Sequence, residues 1–299
     1  MPTTTPSRSP IALALAAAAL AVGAQACASS TAPAGGPRRV YGAPVAVGAG
    51  QARSYVVLND SAVPVELGVA LSEGAMENLP APAAGHGGAG GHAHADSHEF
   101  LLPLPAGHAT GYQLVEMNWN PVGHEPGPVY GLPHFDFHFY TITKAERDAI
   151  DPAAMPPADY AARSARFPAA AQVPARYVAL AAPGTAPVAV PRMGVHWSDL
   201  ASPELQAMLG QPERARPFTT TFIHGSWDGR FIFAEPMVTR AFLLGRKAAT
   251  AEASRDSVMA LPAAAAPAGP GYQAAAYRVA YDADAREYRV ALTQLTRTP

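Results

Sequence analysis

Short segments of alternating apolar and polar residues dominate the sequence from residue 51 onward. ARSYVVLND and PVELGVALS predict two strands with a turn at residues 59–61 between them. Asp228-Gly229 predicts the tight turn of a second hairpin. A third hairpin is predicted in AAYRVAYDADAREYRVALTQL, with its turn around residues 282–285. The same β pattern is predicted in EFLLPLP, TGYQLVEMNWN, LPHFDFHFYTI, MGVHWSDL, TTTFIHGSW, GRFIFAEPMV and TRAFLLG.

Helical signals are few and short. Thr143 with Glu146 three residues later forms a capping box, which predicts that KAERDAI is a helix. A second short helix is expected around residues 159–166, inside an Ala/Pro-rich excursion at 152–191, and another within 248–270 ahead of a linker. The 31 prolines and 26 glycines argue against a helical bundle. We therefore expect residues 51–299 to form a single mainly-β domain, a β-sandwich or a barrel-like fold with a few short helices.

The amino terminus has the three parts of an export signal. A polar start with one positive charge at Arg8 precedes the run IALALAAAALAVGAQA, which is too short for a confident membrane span. Residues 1–26 are therefore predicted to be a signal peptide. Cys27, the single cysteine of the chain, follows directly. It is either lipidated, which anchors the protein to a membrane, or preceded by ordinary cleavage and release into the periplasm or medium. Residues 27–50 are predicted to be a flexible tether.

Charge excludes one class of partner. The net charge is −2, and charged residues make up 15% of the chain. A nucleic-acid surface would require clustered Lys and Arg. We expect no nucleic-acid partner, and membrane contact only through a lipid anchor.

The segment HFDFH carries the strongest chemical signal. Successive side chains on a strand point to opposite faces, so His134, Asp136 and His138 share one face and the phenylalanines between them share the other. The apolar face predicts a core, and the polar face predicts a cavity or a wet surface. Two imidazoles and a carboxylate suit zinc or another first-row divalent metal.

Further ligands must come from other segments. His134, His138 and His196 are the preferred set, and the two histidines of the strand would have to converge on one ion through strand twist. His124 is the next candidate. Glu235 is predicted to be a general base or a fourth ligand. Asp136 is predicted to be either a ligand or the hydrogen-bond acceptor that orients a histidine. His224 lies in the strand next to that of Glu235.

Two other interpretations of these residues remain open. In the first, the His/Asp cluster is structural and its side chains form hydrogen bonds with one another. In the second, the cluster lines an oligomer interface. The His-rich insert at residues 80–98 binds metal loosely or has no role beyond its biased composition. It contains His86, His92, His94 and His98.

Several motifs together resemble a bacterial family of unknown function, typified by an exported Thermus protein under sigma-E control. The resemblance lies in MNWNPVGHEPGPVYGLPHFDFHFYTIT (117–143), RMGVHWSDL (192–200), FTTTFIHGSWDGRFIFAEPMVTRAFL (218–243) and YRVAYDADAREYRVAL. It implies export, a β-rich domain and assembly into homo-oligomers, and it implies no reaction.

The sequence thus predicts an exported cell-envelope protein that binds a zinc-like metal at the HFDFH strand. If the site is catalytic, an open ligand position would activate water for hydrolysis or hydration. The alternative is a non-catalytic oligomeric scaffold or binding protein of an envelope stress response.

Overall fold

The structure is a computed structural model that describes residue 1 and residues 37–82, 97–107, 110–181, 185–187 and 189–298. Gly36–Pro299 forms one compact unit. The predicted signal peptide, the predicted lipidation site at Cys27, and His86, His92 and His94 of the insert lie outside the described residues. No helix in the described part of the chain has the length and apolar character needed to cross a bilayer.

Two antiparallel sheets of seven strands each make up the fold. The strands are β1 (Arg38–Tyr41), β2 (Val45–Val47), β3 (Gly50–Leu58), β4 (Pro64–Ser72), β5 (His98–Leu102), β6 (Leu114–Asn120), β7 (His134–Tyr140), β8 (Tyr177–Ala179), β9 (Val195–Asp199), β10 (Thr220–Trp227), β11 (Arg230–Thr239), β12 (Asp256–Ala260), β13 (Gly271–Asp282) and β14 (Glu287–Thr298). The first sheet has the order β1-β3-β4-β14-β13-β12, with β2 paired to β3, and the second has the order β5-β6-β7-β11-β10-β9-β8.

The main hydrophobic core lies between the two sheets. Leu67 and Val69 of β4 and Leu292 of β14 contribute to it from the first sheet, and Phe137 of β7 and Val115 of β6 contribute from the second. Because the sheets share this core and each keeps its own edge strands, the fold is a β-sandwich. The mainly-β prediction is confirmed.

The helices are short: α1 (Gly127–Tyr130), α2 (Lys144–Asp148), α3 (Pro157–Ser164) and α4 (Arg240–Ala248). The predicted capping box is present at α2. The side chain of Thr143 accepts a hydrogen bond from the Glu146 N–H, and the Glu146 carboxylate accepts one from the Thr143 N–H. These two bonds satisfy backbone donors that the first turn of a helix leaves unpaired.

Replacement of Thr143 by alanine should destabilise the fold by about 1 kcal/mol, because it removes the capping hydroxyl. Guanidinium denaturation measures the loss. Thr143→Ser retains the hydroxyl and is the matched control, so an equal loss in both variants would contradict the capping account.

Three segments differ from the sequence prediction. The predicted tether at residues 27–50 instead contains β1 and β2, and its last residue starts β3. TRAFLLG was predicted to be β structure, and this is wrong: α4 begins directly after β11, and the Thr239 side chain accepts a hydrogen bond from the Phe242 N–H as its N-cap. The segment 248–270, predicted to hold a helix, contains the edge strand β12 after a single 3-10 turn.

Candidate metal centre

A layer of buried polar side chains covers the face of the second sheet that points away from the main core. On β7, His134, Asp136 and His138 lie on this face and are fully buried. Phe135, Phe137 and Phe139 belong to the core between the sheets. The predicted division of the strand into two faces is therefore present, but the polar face lies under other segments of the chain and does not face water.

The adjacent strand extends the polar layer. The register of β6 places Asn120 across from His134, Asn118 across from Asp136 and Glu116 across from His138. All three β6 side chains are buried. Burial of so many polar groups is costly unless each one finds a partner, so the partners of these groups indicate what the layer does.

A first group of possible ligands consists of His124, His134 and Asp136, whose ligand atoms lie within 4.8 Å of one another. His134 Nε2 is 3.1 Å from Asp136 Oδ1. His124 Nε2 is 3.5 Å from Asp136 Oδ2. Four ligands around zinc at bond lengths of about 2.0–2.1 Å lie about 3.3–3.5 Å apart, so these distances suit a shared ion.

Backbone carbonyls orient both imidazoles of the first group. His134 Nδ1 is 2.6 Å from the Leu132 carbonyl oxygen, and His124 Nδ1 is 2.8 Å from that of Glu125. Because a carbonyl oxygen only accepts, each Nδ1 carries a proton, and each Nε2 points to Asp136, where it is available to a metal when it is not protonated. This is the arrangement that metal-binding histidines usually adopt. Asn120 completes the support, since its amide donates to Asp136 Oδ2 over 2.7 Å.

Two atoms of this group are buried without a hydrogen bond. Among the described residues, His134 Nε2 and Asp136 Oδ1 have no hydrogen-bond partner, although they are close to each other. At this distance the carboxylate oxygen and Nε2 attract each other only with a cation between them, which is either a proton on Nε2 or a metal ion. The residues present therefore fit a divalent metal.

The electrostatics of the first group follow from its close contacts. Burial opposes the charge of Asp136, but the imidazoles of His134 and His124 hold the pKa of its carboxyl well below the usual range. Burial likewise opposes a charge on His124, while Asp136 raises the pKa of its imidazole above 6.5. The carboxylate is therefore ionised and available to a cation.

A second group consists of His138, His196 and Glu235, which come from β7, β9 and β11. His138 Nε2 is 3.4 Å from Glu235 Oε1. In the described structure, neither ring nitrogen of His138 has a hydrogen-bond partner, and neither has Glu235 Oε2. His196 forms a hydrogen bond with the backbone of Gly194.

The Phe233 ring packs against two imidazoles of the second group. It contacts that of His138 edge to face at 4.8 Å between centroids, and that of His196 at 5.7 Å. Gly225 on β10 pairs with His196 of β9 on one side and with Phe233 of β11 on the other. Any side chain at position 225 would overlap the Phe233 ring. Glycine at 225 thus leaves the space that the aromatic ring fills.

Burial keeps the second group neutral. It lowers the pKa of His138 to about 3 and that of His196 to about 4. It also raises the pKa of Glu235 well above 4.5, and the nearby charges of Asp136 and Glu116 add to the rise. A bound cation would reverse this balance, because it favours the ionised carboxylate.

The preferred set of His134, His138 and His196 does not form one group. The structure divides these residues, with His134 in the first group and His138 in the second. Strand geometry explains the division, since His134 and His138 are four residues apart on β7, which is about 13 Å along an extended strand. His124 joins the first group in place of His196, and Glu235 lies beside His138. His224 points to the opposite face, because its neighbour Ile223 is the partner of Glu235 in the sheet.

The sequence prediction missed the contribution of β6. Glu116, Asn118 and Asn120 alternate in LVEMNWN, and this period of two was a usable signal for a second polar strand. It also missed Arg147, a buried residue of α2 that forms ion pairs with Glu116 and, at 3.2 Å, with Glu99. No local pattern marked Arg147, because its partners lie far away in sequence.

A family model matches part of the chain. It is that of the TTHB210-like family, described as hypothetical protein TTHB210, and it covers residues 59–119. No curated protein and no solved structure matches. The matched residues precede all six residues of the two groups and overlap the motifs of the sequence resemblance only at 117–119, so the match carries no assignment for the site. Over residues 59–119 the chain is similar to the TTHB210-like family, which agrees with the family resemblance that its motifs indicate.

Proposed function

We propose that this protein binds a first-row divalent metal ion, with zinc as the first candidate, through His124, His134 and Asp136. The observation that carries the proposal is the pair formed by His134 Nε2 and Asp136 Oδ1. These atoms are buried 3.1 Å apart in a contact that lacks hydrogen-bond geometry. The carbonyl partners of both Nδ1 atoms and the Asn120 amide support the same conclusion, because they orient three ligand atoms toward one point.

The ligand set suggests what the ion could do. Two imidazoles and one carboxylate form the protein part of many catalytic zinc sites, where water takes the fourth position. A bound ion would supply a Lewis acid that lowers the pKa of that water, for hydrolysis or hydration. The His124 side chain, 9% exposed, lies nearest to solvent, whereas those of His134 and Asp136 are fully buried. We therefore expect solvent and any substrate to reach the ion past the His124 side chain. The role of Glu235 as a general base stays a prediction.

A non-catalytic role is the second candidate. Complete burial of His134, Asp136 and His138 favours it, since a sealed polar layer would stabilise a scaffold without admitting a substrate. The oligomers implied by the family resemblance fit such a scaffold. Metal binding separates the two candidates only in part, because a structural ion is also compatible with a scaffold.

We place the protein in the cell envelope on sequence grounds. The signal pattern of residues 1–26 supports export, and Cys27 supports a lipid anchor, with cleavage and release as the alternative. Homo-oligomers remain an expectation from the resemblance, and the net charge of −2 speaks against a nucleic-acid partner.

Elemental analysis of the purified mature protein tests the proposal. The loose histidines are first removed by His86→Ser, His92→Ser and His94→Ser, which keep the chain length and leave in place the carbonyl of Pro80, the acceptor for Trp119 Nε1. This protein is the background for the variants that follow. We expect His134→Ala to lose about one equivalent of tightly bound metal that the control His98→Ala retains. A folded background protein that stays free of metal after incubation with Zn²⁺ would contradict the proposal.

A further inference from the structure

The second group has features that a purely structural cluster does not explain. His138 and Glu235 are buried side by side, yet His138 Nδ1, His138 Nε2 and Glu235 Oε2 lack hydrogen-bond partners among the described residues. A buried polar atom without a partner costs about 1–3 kcal/mol. A ligand between the two side chains would satisfy His138 Nε2 and the carboxylate of Glu235.

We propose that His138, His196 and Glu235 bind a second first-row divalent cation, which makes this face of the sheet a two-metal centre. The inference rests on the proposed function of the first group and extends it. The ligand atoms of the three residues lie within 4.8 Å of one another. The 3.4 Å between His138 Nε2 and Glu235 Oε1 matches the spacing of about 3.3–3.5 Å expected between two ligands of one zinc ion.

The two groups are separate but adjacent. They share no residue, and β7 contributes His134 and Asp136 to one and His138 to the other. The charge of Asp136 nevertheless acts on His138, His196 and Glu235, which places it within electrostatic range of all three. A cation in each group would offset the carboxylate charges that burial otherwise disfavours.

The surroundings prepare the second group for a ligand. Phe233 contacts both imidazoles, and Gly225 leaves room for that contact. The hydrogen bond from His196 to the backbone of Gly194 orients one ring. Aromatic packing thus fixes the ligands of the second group, where backbone carbonyls fix those of the first.

A direct hydrogen bond between His138 and a protonated Glu235 is the rival explanation. It would satisfy both side chains without an ion, since a neutral carboxyl donates a proton to an imidazole nitrogen. The observed contact does not have hydrogen-bond geometry, although the atoms are within reach of one. The rival therefore needs a rearrangement that the metal explanation does not.

Metal stoichiometry distinguishes these explanations. The background protein is dialysed against buffered Zn²⁺ and its metal content measured beside that of His196→Ala and Glu235→Gln. We expect about two equivalents per chain in the background and about one in each variant. His196→Ala is the safer variant because His196 is only half-buried, and circular dichroism confirms that each variant folds.

The remaining outcomes separate the two proposals. One equivalent that survives both substitutions and disappears in His134→Ala would overturn the second site and leave the first intact. Two equivalents in all three proteins would overturn it as well, since the second ion would then lie elsewhere. Absence of metal from the folded background protein would reject the proposed function itself.

Discussion

In the background protein that also carries His196→Ala, which removes a ligand of the second group, Asp136→Asn should abolish the stabilisation that zinc gives. Metal at 100 times its dissociation constant stabilises a folded protein by about 2.7 kcal/mol if it does not bind the unfolded chain. For a domain of this size we expect a rise in Tm of about 5–10 °C. The variant retains the shape of the side chain but lacks the charge that both His124 and His134 contact. Its Tm should therefore be the same with and without zinc.

Differential scanning calorimetry with zinc and with EDTA measures this effect. In the same His196→Ala protein, Asp256→Asn makes the same chemical change on β12, in the other sheet, and should leave the response to zinc unchanged. A zinc-dependent rise in Tm that persists in Asp136→Asn would contradict the assignment of the first group.

Phe137→Ala should reduce the free energy of unfolding by about 3–5 kcal/mol, the cost of replacing a buried aromatic ring by a methyl group in a packed core. The Phe137 ring is fully buried in the core between the sheets and lies beside Phe135, with 6.1 Å between ring centroids. The substitution affects the apolar face of β7 and removes none of the candidate ligands.

Urea denaturation in EDTA isolates the packing effect from metal binding. Val258→Ala is the control, because Val258 is 53% exposed on the edge strand β12. Its replacement should reduce the free energy of unfolding only slightly. Phe137→Leu keeps most of the volume, so it should fold and retain its metal. A loss of metal in a folded Phe137→Leu protein would show that the two faces of β7 are not independent.

The faces of β7 could be predicted from the sequence because a strand has a fixed period. Alternation of Phe with His and Asp in HFDFHF places the phenylalanines in one layer and the ligand candidates in another, whatever the rest of the fold. The capping box of α2 was predictable for a similar reason, since Thr143 and Glu146 act over three residues.

The grouping of the ligands could not be predicted in this way. It depends on which strand lies beside β7, and the order β7-β11-β10-β9 brings Glu235 and His196 to His138. His124 reaches His134 through the loop before β7, and no periodicity describes a loop. The sequence prediction placed these residues around a single ion, whereas the structure divides them between two groups.

The error at α4 has a local cause. FLL is a short apolar run, and such runs fit a strand as well as a buried helix. The decisive signals were the N-cap at Thr239 and the helix-favouring residues Arg240, Ala241 and Leu243 that follow it. Strand β12 was missed because it pairs on one side only, with β13.

An anomalous-scattering map at the zinc edge, from crystals of the metal-loaded background protein, tests the central claim most directly. The account predicts a peak bonded to Nε2 of His124, Nε2 of His134 and a carboxylate oxygen of Asp136, at about 2.0–2.2 Å from each. Direct hydrogen bonds from the imidazoles to Asp136, with no peak between them after zinc loading, would contradict it.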